Sequence, residues 1–439
     1  AAFLGAIKIG AVPVPLNTLL RPSDYLYFLN DSRAKVIIAH AELWEPLRSV
    51  AAELKHLRRV VVVGEAQGHE LSFERWVKEA SPELEAADTS KDDVAFWLYS
   101  SGTTGFPKGV VHLQHDMVYC AELYAKGILG ITERDVTFSA AKLFFAYGLG
   151  NSLYFPFSVG ASAVYLPQRP LPENVFETIA RFRPTLFFGV PTLYAAMLQV
   201  PEAERKYDLS SLRLCISAGE ALPAEIYRRW RERFGVEIID GIGTTEVLHI
   251  FISNRPQQVK PGSSGLVVPG YEANIVDEQG TSVKQGEIGS LMIRGDSIAA
   301  CYWNKHEASK RTIVGEWIHT GDKYYQDEEG YLWYCGRNDD MLKVGGIWVS
   351  PVEVENTLIE HPAVVEAAVV GQQDEDGLVK PRAFVVLKEG IAGTPQLAAE
   401  LQAFVKERIA PYKFPRWLDF VQELPKTATG KIQRFKLRQ

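Results

Sequence analysis

The sequence predicts an α/β protein with a large N-terminal domain of stacked α/β layers, a β subdomain, and a small C-terminal α+β domain. Three observations carry that prediction. Short β-branched runs alternate with amphipathic stretches up to about Gly262, the pattern of strands covered by helices. From there the texture changes to short alternating strands set off by glycine turns. After Arg337 it changes again, to a strand–helix unit of about a hundred residues, a common single-domain size.

The elements follow in order. The chain opens at Ala1-Ala2-Phe3, without an initiator Met or charged leader, in an apolar helix-like stretch running into an expected strand at Val12–Leu16; it reads as a piece lacking an upstream part. Val36–Ala39, Val60–Val63, Ala95–Tyr99, Ala161–Tyr165, Leu186–Val190, Leu212–Ser217 and Val236–Asp240 read as buried strands. Ala221–Phe234 sets apolar residues on one face and arginines on the other, as a covering helix does. SSGLVVPGYEANIVDEQG, GEIGSLMIRG and GYLWYCGR supply the β subdomain. Beyond it, Lys343–Ser350, Val364–Val370 and Arg382–Leu387 read as strands, and Pro351–Glu360 and Gln396–Ile409 as helices. The polar step Asn338-Asp339-Asp340 divides the chain into domains 1–338 and 339–439.

Composition excludes several classes. The chain has 439 residues, 46% hydrophobic and 23% charged, which is ordinary globular usage. A net charge of −7 argues against general nucleic-acid binding. No apolar run reaches the roughly 18–20 residues of a membrane span; Ala140–Tyr165 is cut by Lys142, Gly148, Gly150, Asn151 and Pro156. The aromatic-rich segment Phe144–Phe157 reads instead as strands and glycines of a substrate-tunnel wall. Cys120, Cys215, Cys301 and Cys335 lie far apart with no CxxC spacing, so neither a disulfide framework nor zinc is indicated and the cytoplasm is the default compartment. His112 and His115 have i,i+3 spacing but no third ligand nearby, which favours structural roles.

The strongest local signal is Tyr99–Gly109, YSSGTTGFPKG: a strand ends, hydroxyl and glycine residues follow, then Lys108. Glycines let backbone N–H groups turn inward around a phosphate, and hydroxyls and an ammonium add donors. Because Gly109 follows Lys108, the order is not that of the GxxxxGK[ST] loop.

SSGTTGFPKG resembles the phosphate loop of the adenylate-forming superfamily, which includes acyl-CoA synthetases, peptide-synthetase adenylation domains and firefly luciferase. Gly241–Glu246 (GIGTTE) resembles its YGxTE motif, Trp317–Asp322 (WIHTGD) its TGD, and Gly336–Asp340 (GRNDD) its hinge. Pro425–Lys431 (PKTATGK) resembles its catalytic-lysine motif, so the matches run in order over nearly the whole chain. Members usually carry several tens of residues more at the N-terminus.

The resemblance implies ATP and Mg²⁺, coenzyme A as co-substrate, and a mobile C-terminal domain turning about Asp339. It places Ser101, Thr103, Thr104 and Lys108 on the phosphates, with Gly219, Glu220 and Ala221 packing against adenine. Asp240, Gly241, Ile242, Gly243 and Thr244 continue the nucleotide site, Ile242 standing where the family's tyrosine packs on adenine. Thr245 would contact the α-phosphate and Glu246 would ligate Mg²⁺, a carboxylate suiting a hard cation that bridges phosphate oxygens. Asp322 and Arg337 would hold the ribose, with Tyr334 beside them. Lys431 would bridge the attacking carboxylate and the α-phosphate. Rotation would then bring Met341–Trp348 to the site, with Gly345 and Gly346 passing the pantetheine arm of CoA.

The acyl pocket aligns with Lys142–Gly148, Phe145 at an aromatic gate and Ala146 and Tyr147 on the wall. Small residues at Ala146, Gly219, Gly241 and Gly243 would leave a flat slot capped by Tyr147, Leu248 and His249, and Lys343 could reach substrate. A planar aryl ring fits such a slot better than a flexible chain. FFAYGLGN with GIGTTEVLHIFISN resembles the benzoate–CoA ligases and their hydroxybenzoate relatives. The expected activity is therefore ATP-dependent ligation of an aryl carboxylate to CoA in aromatic-acid degradation, by an enzyme without nucleic-acid partner or membrane span and open to homodimer formation. Hydroxybenzoate, 2-aminobenzoate or a medium-chain fatty acid are alternative acids. An amino-acid adenylation domain fits less well, because FFAYG and LHIF offer no acidic residue; a non-catalytic nucleotide-binding relative would not need all five motifs.

Overall fold

The computed structural model describes residues 1–100, 107–344, 347–375, 378–427 and 431–438, and of residues 343, 347 and 348 only the backbone. It divides into two compact units, Ala1–His115 with Ala299–Ser309, and Asp116–Ile298 with Lys310–Gln439.

In the first unit β1 (Val36–His40), β2 (Arg59–Val63) and β3 (Leu71–Ser72) form a parallel sheet. Only one face of β1 is covered: Val36 and Ile38 point outward, so the expected buried strand is half exposed, its other face meeting the cluster around Trp44 and Leu47. A second sheet pairs β4 (Val94–Ser100) with β5 (Lys108–Leu113), and Cys301–Tyr302, β15 in chain order, pairs with β5. The expected strand Val12–Leu16 does not form. Pro13 and Pro15 remove two ladder donors in five residues, and the segment runs as a loop whose Pro13 carbonyl accepts the Trp97 N–H (3.2 Å). His112 lies on β5, buried and stacked on Phe96. The β-branched pair Val110-Val111 suits a strand there, and the next helix begins at Asp116.

The second unit is organised by a seven-stranded sheet in the order β12-β11-β10-β9-β8-β6-β7. Its parallel part comprises β6 (Val136–Ser139), β7 (Ser162–Val164), β8 (Leu186–Gly189), β9 (Leu214–Ser217) and β10 (Ile238–Gly243). β11 (Ile250–Ser253) and β12 (Leu266–Val267) continue it antiparallel. β6 was absent from the sequence expectations because Val-Thr-Phe-Ser has two hydroxyl residues among its four and so makes no continuous apolar run. Helices Pro172–Phe182, Pro191–Leu198 and Ala224–Phe234 bury Phe176, Tyr194 and Trp230 against Phe187 and Ile238. The last starts three residues later than expected. The Leu222 N–H goes to the Asp240 carboxylate and Pro223 is extended (ψ 134°), so helical geometry begins at Ala224.

Ala146–Phe157 is a helix with wider π turns over Gly150–Tyr154, not strands. Its residues from Gly148 to Pro156 are all buried, and a largely apolar segment can be accommodated as a core helix.

β13 (Glu272–Val276), β14 (Gly289–Arg294), β16 (Ile313–Val314), β17 (Trp317–Gln326) and β18 (Leu332–Arg337) make the expected β subdomain. The expected strand Lys343–Ser350 is instead a hairpin, β19 (Leu342–Val344) against β20 (Ile347–Val349). Two consecutive glycines between β-branched residues are the composition of a tight hairpin connection. β21 (Val364–Gln373), β22 (Val379–Leu387) and β23 (Trp417–Phe420) form a further sheet. Helices Pro351–Ile359 and Pro395–Arg408 close over it around Val354, Leu358, Val385 and Leu401.

Candidate functional site

Parallel sheets bind ligands beyond the carboxyl ends of their strands. Here β9 ends at Ser217 directly opposite Asp240 of β10, and the chain after β9 turns at Gly219 with φ +96°. One oxygen of the buried Asp240 accepts the Leu222 N–H (3.2 Å); Oδ1 has no hydrogen-bond partner among the described residues. Burial pushes this carboxyl up to about 7. Ser217 Oγ and Thr244 Oγ1 are also buried without a partner among the described residues. Such orphaned polar atoms mark where a polar ligand would complete the bonding.

After β10 the chain makes one tight turn, Thr245–Val247, and Leu248 takes φ +70°, a region non-glycine residues seldom occupy. The Val247 carbonyl accepts from Ser297 Oγ (2.8 Å), which itself meets the Tyr271 hydroxyl (2.7 Å). This turn carries Glu246, whose charge reaches the Arg337 guanidinium.

β17 and β18 place Asp322 and Arg337 as direct cross-strand partners, Nη1 to Oδ1 3.2 Å. Burial raises the Asp322 carboxyl, opposed by the charges of Arg337 and Lys431. Burial opposes the charge on Arg337, but Asp322 and Tyr334 outweigh it and hold the guanidinium ionised. Tyr334 packs against Tyr324, ring centroids 5.5 Å apart.

Lys431 reaches the same place from the C-terminal part. Its Cε lies 3.8 Å from where a Cβ would stand on Gly219. Its backbone is folded on Thr427, N–H to Oγ1 3.1 Å and carbonyl from the Thr427 N–H 2.8 Å, and the next residue, Ile432, donates its N–H to Glu220 Oε1 (2.8 Å). The structure thus brings Gly219, Glu220, Asp322, Arg337 and Lys431 together. Those groups suit the ribose and phosphates of a nucleotide whose reacting phosphorus faces an ammonium.

The acyl side is aromatic. The Tyr147 hydroxyl lies 3.2 Å from the carbonyls of both Gly189 and Ile216, at the ends of β8 and β9. His249 is buried among Tyr124, Tyr147 and Phe155, with Nε2 3.1 Å from Asn151 Oδ1. Burial pushes its pKa down to about 3, so the imidazole is neutral. Leu248 is fully buried; Phe145 packs on Phe144 and Ala146 opens the helix beside it.

The expected flat slot needs correction at two glycines. A Cβ on Gly241 would stand 2.8 Å from the Ile252 carbonyl oxygen, and one on Gly243 2.5 Å from that of His249. The missing side chains leave room for β11 and the turn before it, not for substrate. Ile242 stays partly exposed on β10. Lys142, at the head of the acyl segment, donates to the carbonyls of Leu166 and Gln168 and serves as a brace.

Lys108 belongs to the other unit, its ammonium 4.2 Å above the Tyr302 ring. Asp339 lies in the turn after β18, its carbonyl accepting from Arg438 (3.2 Å). Ser101, Thr103, Thr104, Gly345, Gly346 and the Lys343 side chain lie outside the described residues. Sequence reasoning gave no site role of its own to Asn151, the last residue of FFAYGLGN, or to Ser217 and Ser297, small polar residues that carry no periodic signal.

No group of three metal-ligating side chains occurs among the described residues. Glu246, with the Thr244 and Thr245 hydroxyls beside it in sequence, still suits Mg²⁺, which takes one or two carboxylates from a protein and its other oxygens from phosphate and water.

The sequence model of the AMP-binding enzyme family matches residues 1–303, and that of the AMP-binding enzyme C-terminal domain matches 353–431. The chain is 55% identical to a benzoate–CoA ligase of Thauera aromatica, across 99% of this chain and 82% of that protein. It is 47% identical to a 4-hydroxybenzoate–CoA/benzoate–CoA ligase of Rhodopseudomonas palustris, across 100% of this chain and 81% of that one. Among solved structures, it is similar to an anthranilate CoA ligase in complex with anthranoyl-AMP, with TM-score 0.96 and 51% identity over 99% of this chain and 84% of that one. It is also similar to a benzoate CoA ligase from Burkholderia xenovorans LB400, with TM-score 0.92 and 53% identity over 100% of this chain and 86% of that one.

Proposed function

The chain belongs to the AMP-binding enzyme family, and from that premise we propose that it ligates benzoate to coenzyme A in two AMP-forming steps, in the cytoplasm and in the service of aromatic-acid degradation. In the first step a benzoate oxygen attacks the α-phosphorus of ATP and the bond to pyrophosphate breaks. In the second the CoA thiolate attacks the benzoyl carbonyl and AMP leaves as its phosphate anion.

One observation carries the reading: Lys431 stands over Gly219 with its charge felt by Asp322, beside Arg337. Asp322 and Arg337 would hold the ribose, and the Lys431 ammonium would meet the negative charge that grows on the α-phosphate and incoming carboxylate. Glu246 would hold Mg²⁺, which when bound screens the phosphate charge, and Thr245 would contact the α-phosphate. Tyr147, Leu248 and the neutral His249 would enclose the ring; a neutral imidazole adds no charge that would draw the carboxylate away from phosphorus. For the second step we infer that residues 339–439 turn about Asp339, withdrawing Lys431 and presenting the β19–β20 hairpin to CoA.

The test is AMP release with a panel of carboxylates, with and without CoA. Benzoate-dependent release that requires CoA is expected. Turnover with aliphatic acids alone would overturn the pocket reading, and no turnover with any acid would overturn the ligase reading. A second reading, a hydroxy- or amino-substituted benzoate, is favoured by His249 Nδ1, which is buried with no partner among the described residues and could meet a ring substituent.

A further inference from the structure

We propose that Glu220 is the positioning residue that docks the lysine loop for adenylation. This rests on the two-step reading above and adds to it a role for the Glu220 side chain.

The contact joins residues 212 positions apart: Glu220 Oε1 accepts the Ile432 N–H at 2.8 Å. Lys431 and Thr427 are bonded to each other at both backbone groups of the lysine. Fixing Ile432 therefore fixes the root of Lys431, while the stem of Lys431 lies against Gly219, the residue before Glu220. Two adjacent residues after β9 grip two adjacent residues of the tail.

No side-chain cation is bonded to the Glu220 carboxylate among the described residues. Arg434 stands near it, but its guanidinium is engaged with Glu355 at 2.8 and 3.0 Å. The bonded donor is a backbone N–H, so the contact depends on where the loop sits rather than on which side chains it carries. A carboxylate accepting a backbone N–H makes one of the stronger hydrogen bonds. If Lys431 withdraws before thioester formation, this bond exists only while adenylation is under way, and its loss falls on that step alone.

The test separates the half-reactions on the full chain. Pyrophosphate–ATP exchange reports adenylation, run with whichever carboxylate of the panel drives it best in the wild type. CoA thioester formation from supplied aroyl-AMP reports the second step. Glu220→Ala is expected to lower the kcat of exchange about tenfold or more, with little change in the KM for ATP, so the ratio of the two rates falls by the same factor. Glu220→Gln keeps a carbonyl acceptor without the charge and should recover most of the loss. Ile432→Pro removes the same N–H from the other side and should reproduce the split even if Glu220→Ala folds poorly.

Equal losses in both half-reactions, a rise in the KM for ATP at unchanged kcat, or failure of glutamine to rescue would each overturn the docking role. Exchange driven only by a different acid would overturn the benzoate reading and leave this comparison intact.

Discussion

Asp240 and His249 lie in neighbouring strand and turn, and burial shifts them in opposite directions along the pH axis. The Asp240 carboxyl is raised to about 7, so the folded protein holds a proton that the unfolded chain gives up near pH 4. Its contribution to stability is present below pH 4 and is lost as pH rises through 7. His249 is lowered to about 3, so the unfolded chain takes up a proton near pH 6.5 that the folded protein refuses. Its contribution is present above pH 6.5 and is lost as pH falls. Over pH 4–6.5 the two slopes oppose and partly cancel. Asp240→Asn keeps an acceptor for the Leu222 N–H and removes one slope. Unfolding measured at pH 8 should show it more stable than wild type by on the order of 2–4 kcal/mol, with the gain vanishing near pH 4. A gain that did not change with pH would mean that Asp240 is ionised in the folded protein. Neither shift was legible in the sequence, where Asp240 read only as a motif residue and His249 as a pocket cap. Both follow from burial, which depends on what the rest of the chain packs around them.

At the scale of the element, the turn after β10 shows what spacing reveals and what it hides. GIGTTE marked Glu246 by its motif, and the structure sets it in the tight turn Thr245–Val247. The two glycines read as room for a ring, yet both are demanded by the close approach of β11. A glycine looks the same in sequence whether the space beside it is empty or filled by a neighbouring backbone. Gly243→Ala should therefore cost more than about 2 kcal/mol by overpacking, with loss of soluble protein rather than altered acid preference. A folded Gly243→Ala variant with narrowed ring specificity would restore the slot. Leu248 pays for its left-handed backbone by full burial, since burying a leucine is worth about 2–3 kcal/mol against roughly 1–3 for the strain. Ser297 steadies the same turn through the Val247 carbonyl. Ser297→Ala should lower stability by about 1 kcal/mol and raise the Mg²⁺ concentration needed for half-maximal AMP release severalfold, because Glu246 sits one residue from that carbonyl. Unchanged Mg²⁺ dependence would confine Ser297 to a structural role.

Across the whole molecule, layered α/β texture and ordered motifs were legible because both are local: β-branched runs, arginine-backed helices, and glycines at fixed offsets. Proline at Val12–Leu16 and the glycine pair before Ile347 misled only where one residue type outweighed the run around it. What no local pattern carries is the network that holds the tail to the turn at Asp339. Arg438 pairs with Asp340 near the surface, and Arg434 makes a bidentate pair with the buried Glu355, which also accepts the Val369 N–H (2.7 Å). The two pairs differ in what their loss leaves behind. An exposed pair is worth about 0–1 kcal/mol, so Arg438→Ala should leave the melting transition and both half-reactions within about twofold of wild type. Removing Arg434 leaves the buried Glu355 without its cationic partner, a loss of roughly 3–5 kcal/mol. Arg434→Met should accordingly unfold residues 339–439 first, abolishing AMP release and exposing that part to limited proteolysis while the β9–β10 region stays protected. Uniform digestion of the whole chain would instead place Arg434 in a single cooperative unit with the seven-stranded sheet.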